Sequence, residues 1–169
     1  MAIHTLPVKL IAHRGQPPFL VVDVPKGILR VSRNPRPQTI RWWLQHPGAS
    51  GRFNAPDDAI SPGFLWISAP FPGIFSPPKV GDRGQSLTVL DDHDIEEKIG
   101  TWFYRLSATI DGVVYRTRFK SPYSARVRTL RGSRMLAATT STSTVTSSSL
   151  TLITGNDPQS AGNPTIKNR

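Results

Sequence analysis

An all-β sandwich is the fold predicted by this 169-residue chain, and three features predict it. Short apolar runs recur with period two, which sends alternate side chains to opposite faces of a strand. Glycine and proline, 13 and 16 residues respectively, fall in punctuating clusters such as Gln16-Pro17-Pro18 and Ser76-Pro77-Pro78, as irregular loops between many strands require. One pair, Asp111-Gly112, carries the signature of a two-residue hairpin turn, in which both positions need φ > 0. Together these point to a Greek-key arrangement of about 7–9 strands with a Ser/Thr-rich C-terminal extension.

Taken in order, Thr5 to His13 places Val8, Leu10 and Ala12 on one side around Lys9 and reads as an edge-tolerant first strand. Phe19 to Val24 is a β-branched apolar run. After the turn at Pro25-Lys26-Gly27, Ile28 to Ser32 alternates again. Gln38 to Gln45 is clearer, with Ile40, Trp42 and Leu44 on one face and Arg41, Trp43 and Gln45 on the other. Residues 46–63 read as a long loop anchored by Phe53, and 64–68 as a short strand.

The five prolines between Ala69 and Val80 remove ladder donors, so that segment reads as a loop whose aromatics cap the core. Gln85 to Leu90 alternates through Leu87 and Val89. In Asp91 to Gly100, Asp94 and Glu97 have capping-box spacing, and one helical turn is expected. Thr101 to Ile110 and Val113 to Phe119 then form the hairpin around Asp111-Gly112.

Beyond Pro122 the character changes. Residues 125–136 are basic, and 139–149 are almost entirely Ser and Thr. The expected organisation is a sandwich over 1–122 and an extension over 123–169, which adds at most one or two peripheral strands, residues 150–153 among them. A chain this long buries roughly 68–70% of its unfolded surface and needs no cross-link to fold. With no cysteine, disulfides and thiolate metal sites are excluded. The N-terminus lacks an apolar run of signal-peptide length, and no stretch approaches the ~18 apolar residues of a membrane span. The default expectation is a cytoplasmic protein.

Two details resemble the immunoglobulin-like pattern: Trp42 on a central strand, and Gly100 to Tyr104 entering a late strand after a polar corner. Leu106 stands where that family has a cysteine. The run from Ile40 to Phe119 is also similar to small bacterial cupredoxin-like sandwiches, among them the uncharacterised proteobacterial proteins labelled the DP-EP family. The ending Asn163-Pro164-Thr165-Ile166-Lys167-Asn168 resembles that family's close, with Asn in place of Asp and a long insertion before it. The resemblance implies a fold and no activity.

Chemistry is sparse. Blue-copper binding needs a Cys thiolate and two His ligands, and here His4, His13, His46 and His93 are scattered, so no cofactor or metal is expected. Asp91-Asp92-His93-Asp94-Ile95-Glu96-Glu97 lacks the spaced ligands of a calcium loop and reads as a solvated acidic corner. No Gly-x-Ser-x-Gly elbow is present, and the few carboxylates are bunched. No catalytic residue is assigned.

The net charge of +10 is more informative. From Gly112 to Asn156 no acidic residue occurs, while Arg116, Arg118, Lys120, Arg126, Arg128, Arg131 and Arg134 accumulate. Such a stripe either grips phosphates or an acidic surface, or keeps an outer strand soluble and unpaired. Trp43, facing away from Trp42, is the candidate exposed aromatic, free to stack on a ligand unless the 69–80 loop covers it. The expected function is a non-enzymatic structural or interaction module that contacts a protein partner or self-assembles into a homo-oligomer through the sandwich loops, the Arg-rich face and the C-terminal arm. The alternative is a binder of nucleic acid or another acidic polymer.

Overall fold

The computed structural model describes residues 2–45, 50–119 and 164–169. Within them the chain is all-β, built from two mixed sheets in the manner of a sandwich. The first sheet has the order β2-β1-β4-β8-β7, formed by β1 (Ile3–Ile11), β2 (Phe19–Val22), β4 (Gln38–Gln45), β7 (Lys79–Gly81) and β8 (Ser86–Asp91). The second runs β10-β9-β11-β3, from β3 (Ile28–Val31), β9 (Gly100–Ile110), β10 (Val113–Arg116) and β11 (Thr165–Asn168). Two short strands, β5 (Arg52–Phe53) and β6 (Phe64–Trp66), also pair with β9.

Period-two burial holds where it was strongest in the sequence. Along β4, Ile40, Trp42 and Leu44 are buried and Gln45 is exposed. Along β9, Trp102, Tyr104, Leu106, Ala108 and Ile110 are buried. The two strands belong to opposite sheets and meet across the core. Trp42 Nε1 donates to the Tyr104 hydroxyl at 2.9 Å, and the rings pack edge-on with centroids 5.1 Å apart. Phe64 completes the cluster, 5.2 Å from Trp42 and 5.5 Å from Tyr104. A bonded indole N–H satisfies the polar end of an aromatic that otherwise supplies buried area. Burial pushes the Tyr104 phenol well above its ordinary value.

The hairpin turn forms as expected, with φ of 50° and 77° at Asp111 and Gly112 and Val113 paired with Ile110, but the return strand ends at Arg116 rather than Phe119 and leaves Val113 exposed. Other expectations are corrected. The first strand is internal, paired to β2 on one side and in parallel to β4 on the other. Phe71 does not cap the core: it is 76% exposed, and Phe75 packs instead against Trp66 and Trp102. The turn before β9 is a 3-10 turn over Glu96–Lys98 with Ile95 at its N-cap position and no side-chain cap. Asp94 is spent on Lys98, 2.9 Å away.

The largest departure lies at the C-terminus. Thr165–Asn168 inserts between β9 (antiparallel) and β3 (parallel), and Ile166 and Asn168 are fully buried. A boundary drawn on composition at residue 122 leaves out a strand of the sandwich. Residues 1–120 and 161–169 make one compact unit. The Ser/Thr-rich stretch and the candidate strand at 150–153 lie outside the described residues. Among the described residues no helix is long and apolar enough to cross a membrane.

Candidate functional site

Two polar constellations stand apart, one at each end of β8. At its end, Asp91 continues the inward alternation of Leu87 and Val89, so a carboxylate enters the interior. His93 Nδ1 lies 3.0 Å from Asp91 Oδ1, and Asn168 Nδ2 donates to the same oxygen at 3.0 Å. Asp91, His93 and Asn168 are each at most 1% exposed. The expectation of a solvated acidic corner is therefore wrong for Asp91 and His93. Burial raises the Asp91 carboxyl above its ordinary value, against the opposing pull of His93 and of the hydrogen bonds from His93 and Asn168. A site closed to solvent fastens strands together and presents nothing to a substrate.

The other constellation is open. At the start of β8, the turn from β7 runs through Asp82, Arg83 and Gly84 with φ of 50°, 57° and 93°. Left-handed backbone is costly for the two non-glycine residues. Asp82 holds the turn by accepting from Arg41 Nη2 and from Ser86 Oγ, both at 2.5 Å. These bonds, that from Ser86 foremost, keep its carboxyl below the ordinary range. Gly84 packs so closely on β5 that a Cβ there would sit 2.6 Å from Arg52 Cβ. Arg52 and Arg83 thus leave the surface from touching segments. Neither guanidinium has an ion pair or hydrogen bond among the described residues.

The loop between β5 and β6 builds the facing wall. Asp58 Oδ1 accepts from the backbone of Ile60 and Ser61 at 2.9 and 2.8 Å. Asn54 donates to the Ser61 carbonyl and accepts from Thr109 Oγ1. Arg116 Nη2 donates to Ser61 Oγ at 2.5 Å and to the Ile60 carbonyl at 3.3 Å. Pinned from both sides, the loop holds Ile60 outward at 86% exposure. Between these walls lies an open groove of about 690 Å³, lined among others by Arg52, Asp58, Ile60, Val80, Arg83 and Val114.

The sequence-predicted residues part company here. Arg116 reaches the groove rim. Arg118 turns to the β1–β2 loop, where it bonds Gln16 Oε1 and the Pro17 carbonyl and lies 3.9 Å over the Phe19 ring. Trp43 is half-buried, with the Arg41 guanidinium 4.9 Å from its ring centroid. Lys120, Arg126, Arg128, Arg131 and Arg134 lie outside the described residues. Compared with family models, with curated proteins and with solved structures, the chain matches none.

The residues missed from the sequence are Arg52, Arg83 and Ile60. A lone isoleucine inside the polar run Pro56-Asp57-Asp58-Ala59-Ile60 was the available signal. The arginines carried none, because only the fold brings residues 52 and 83 together. Among the described residues no three His, Cys, Asp or Glu side chains are grouped to hold a metal ion. The groove is lined by two arginines, one aspartate, polar Asn54, Ser61 and Thr109, and the apolar Ile60, Val80 and Val114.

Proposed function

We propose that this chain is a non-enzymatic interaction module and that the groove between the β5–β6 loop and the β7–β8 turn is its contact surface. One observation carries the reading: Ile60, held outward by a hydrogen-bonded loop, stands over a groove flanked by two arginines that have no counter-ion among the described residues. An exposed apolar side chain on a rigid loop costs solubility for no gain in packing, and beside unpaired guanidinium groups it matches the usual anatomy of recognition surfaces. Arginine is the cation best suited to such surfaces, since its planar fork meets carboxylates in pairs.

The test is selection of random displayed peptides on the immobilised chain. The expected winners combine carboxylates with aliphatic side chains, and their affinity falls about tenfold in Arg83→Glu. Selection that yields no binder sensitive to Arg52 or Arg83 removes the proposal. The acidic-polymer alternative draws support from the same two arginines and from the net charge of +10. It demands binding of DNA, RNA or heparin that weakens steeply with salt, since each phosphate contact releases a counter-ion.

A further inference from the structure

We infer that the groove takes the Ile95–Ile99 corner of a second copy of this chain, so that copies join head to tail. The inference rests on the groove being a contact surface, and it names the occupant.

The corner has the complementary chemistry. Ile95 and Ile99 are 48% and 47% exposed and flank the 3-10 turn that carries Glu96 and Glu97. Both glutamates are exposed, and neither has an ion pair among the described residues. The neighbouring cation, Lys98, is drawn back onto Asp94 at 2.9 Å and the Asp92 carbonyl at 2.6 Å. Its ammonium is held above its ordinary value chiefly by Asp94. Two carboxylates between two isoleucines therefore face outward, while the groove offers two guanidinium groups, against the single Asp58 carboxylate, around Ile60, Val80 and Val114.

Topology keeps the surfaces apart within one molecule. The groove's Arg83 turn precedes β8, and the corner follows it. Strand β9 runs back from Gly100, beside the corner, to Thr109 on the groove wall. Six residues of β8 span about 20 Å, so the corner cannot fold into its own groove. A contact between unlike surfaces at opposite ends is heterologous, and it builds a ring or an open filament according to whether the rotation closes.

Sedimentation velocity on the full chain tests this. Average mass is expected to rise with concentration and to fall with added salt, because the charges at the contact are screened. Arg83→Glu in the groove and Glu97→Arg at the corner are each expected to weaken association at least about tenfold. Lys26→Glu, at an exposed turn elsewhere, leaves it unchanged.

The decisive arm mixes the two variants. Arg83→Glu retains a sound corner and Glu97→Arg a sound groove. The reversed groove of the first is itself charge-complementary to the reversed corner of the second, so the association lost in each variant alone returns in the mixture. That result also shows that both variants are folded. A chain that stays monomeric at every concentration overturns the inference, as does assembly unaffected by either reversal. If the chain is monomeric while selected peptides still bind through Arg83, the groove survives as a contact surface and self-association does not.

Discussion

His93 Nδ1 sits 3.0 Å from an Asp91 carboxylate oxygen that also receives the Asn168 amide, and no part of the two side chains reaches solvent. The C-terminal strand is thereby tied to the far end of β8, across the two sheets. Desolvation raises the Asp91 pKa. Above about pH 3.9, the ordinary aspartate value, and below the raised one, the folded chain keeps a proton that the unfolded chain has lost. Asp91 thus contributes most to stability below that window, and the contribution is lost as pH rises through the folded value. Asp91→Asn has no such proton to lose. Urea unfolding at intervals from pH 4 to 7 is expected to show the variant gaining on the native chain as pH rises. Parallel profiles for the two proteins would contradict the assignment.

Asn168 makes the matching prediction at the other side of the pair. Its amide is fully buried and donates to Asp91, so Asn168→Ala removes a partner from a buried acceptor. The expected cost is about 1–3 kcal/mol, read as a lowered urea midpoint. Deleting residues 164–169 goes further, because β11 is the strand that joins β3 to β9. That truncation is expected to abolish cooperative unfolding. A truncated chain with the native midpoint would show that β11 is not integral to the sandwich.

Across the core, the Trp42 indole has the Tyr104 hydroxyl as its acceptor. Tyr104→Phe keeps the ring and strips the acceptor, leaving a buried N–H unpaired. The predicted loss is about 1–3 kcal/mol with little change in near-ultraviolet ellipticity, because ring packing persists. A loss of nothing measurable would mean that water or another group reaches the indole.

Most of the sandwich was legible where one strand carries its own evidence. Gln38–Gln45 and Thr101–Ile110 alternate over many residues, and Asp111-Gly112 names its own turn. The buried cluster was half legible. Leu87 and Val89 set a phase that puts Asp91 inward, and Ile166 does the same for Asn168, yet charge argued the other way and composition assigned the tail to an extension. Pairings distant in sequence were not legible. Nothing in a linear pattern brings Arg52 against Gly84, or sends Arg116 and Arg118, two residues apart, to loops at residues 60 and 16. Local preference fixes strands, whereas sites arise from which loops the sheets bring together.

Gly63 supplies a test of the groove wall. Its α-carbon lies so near the Asn54 carbonyl that an added Cβ would fall 2.0 Å from that oxygen. The backbone of Gly63 also donates to Ala55 at 2.9 Å, closing the loop that carries Ile60. Gly63→Ala must displace this loop, at an expected cost of about 1–3 kcal/mol. If the groove depends on Ile60 being held outward, peptide affinity falls together with the urea midpoint. Stability lost with affinity unchanged would show that recognition does not use that wall.

Arg118 and Arg83 separate a structural arginine from a recognising one. Arg118 is exposed, yet its guanidinium stacks on Phe19 and bonds Gln16 and Pro17. A surface stacking contact of this kind is worth about 0.5–1 kcal/mol, and Arg118→Ala is expected to lower stability by about that much. Affinity for groove-selected peptides should not move. Arg83→Glu is expected to do the reverse, with stability within about 0.5 kcal/mol, as for a surface change away from any packed contact, and affinity strongly reduced. When the charge change is matched, Arg83→Ala against Arg118→Ala, a general electrostatic attraction would weaken binding equally in the two variants. Unequal losses measured at one salt concentration therefore distinguish a built site from the net charge of the chain.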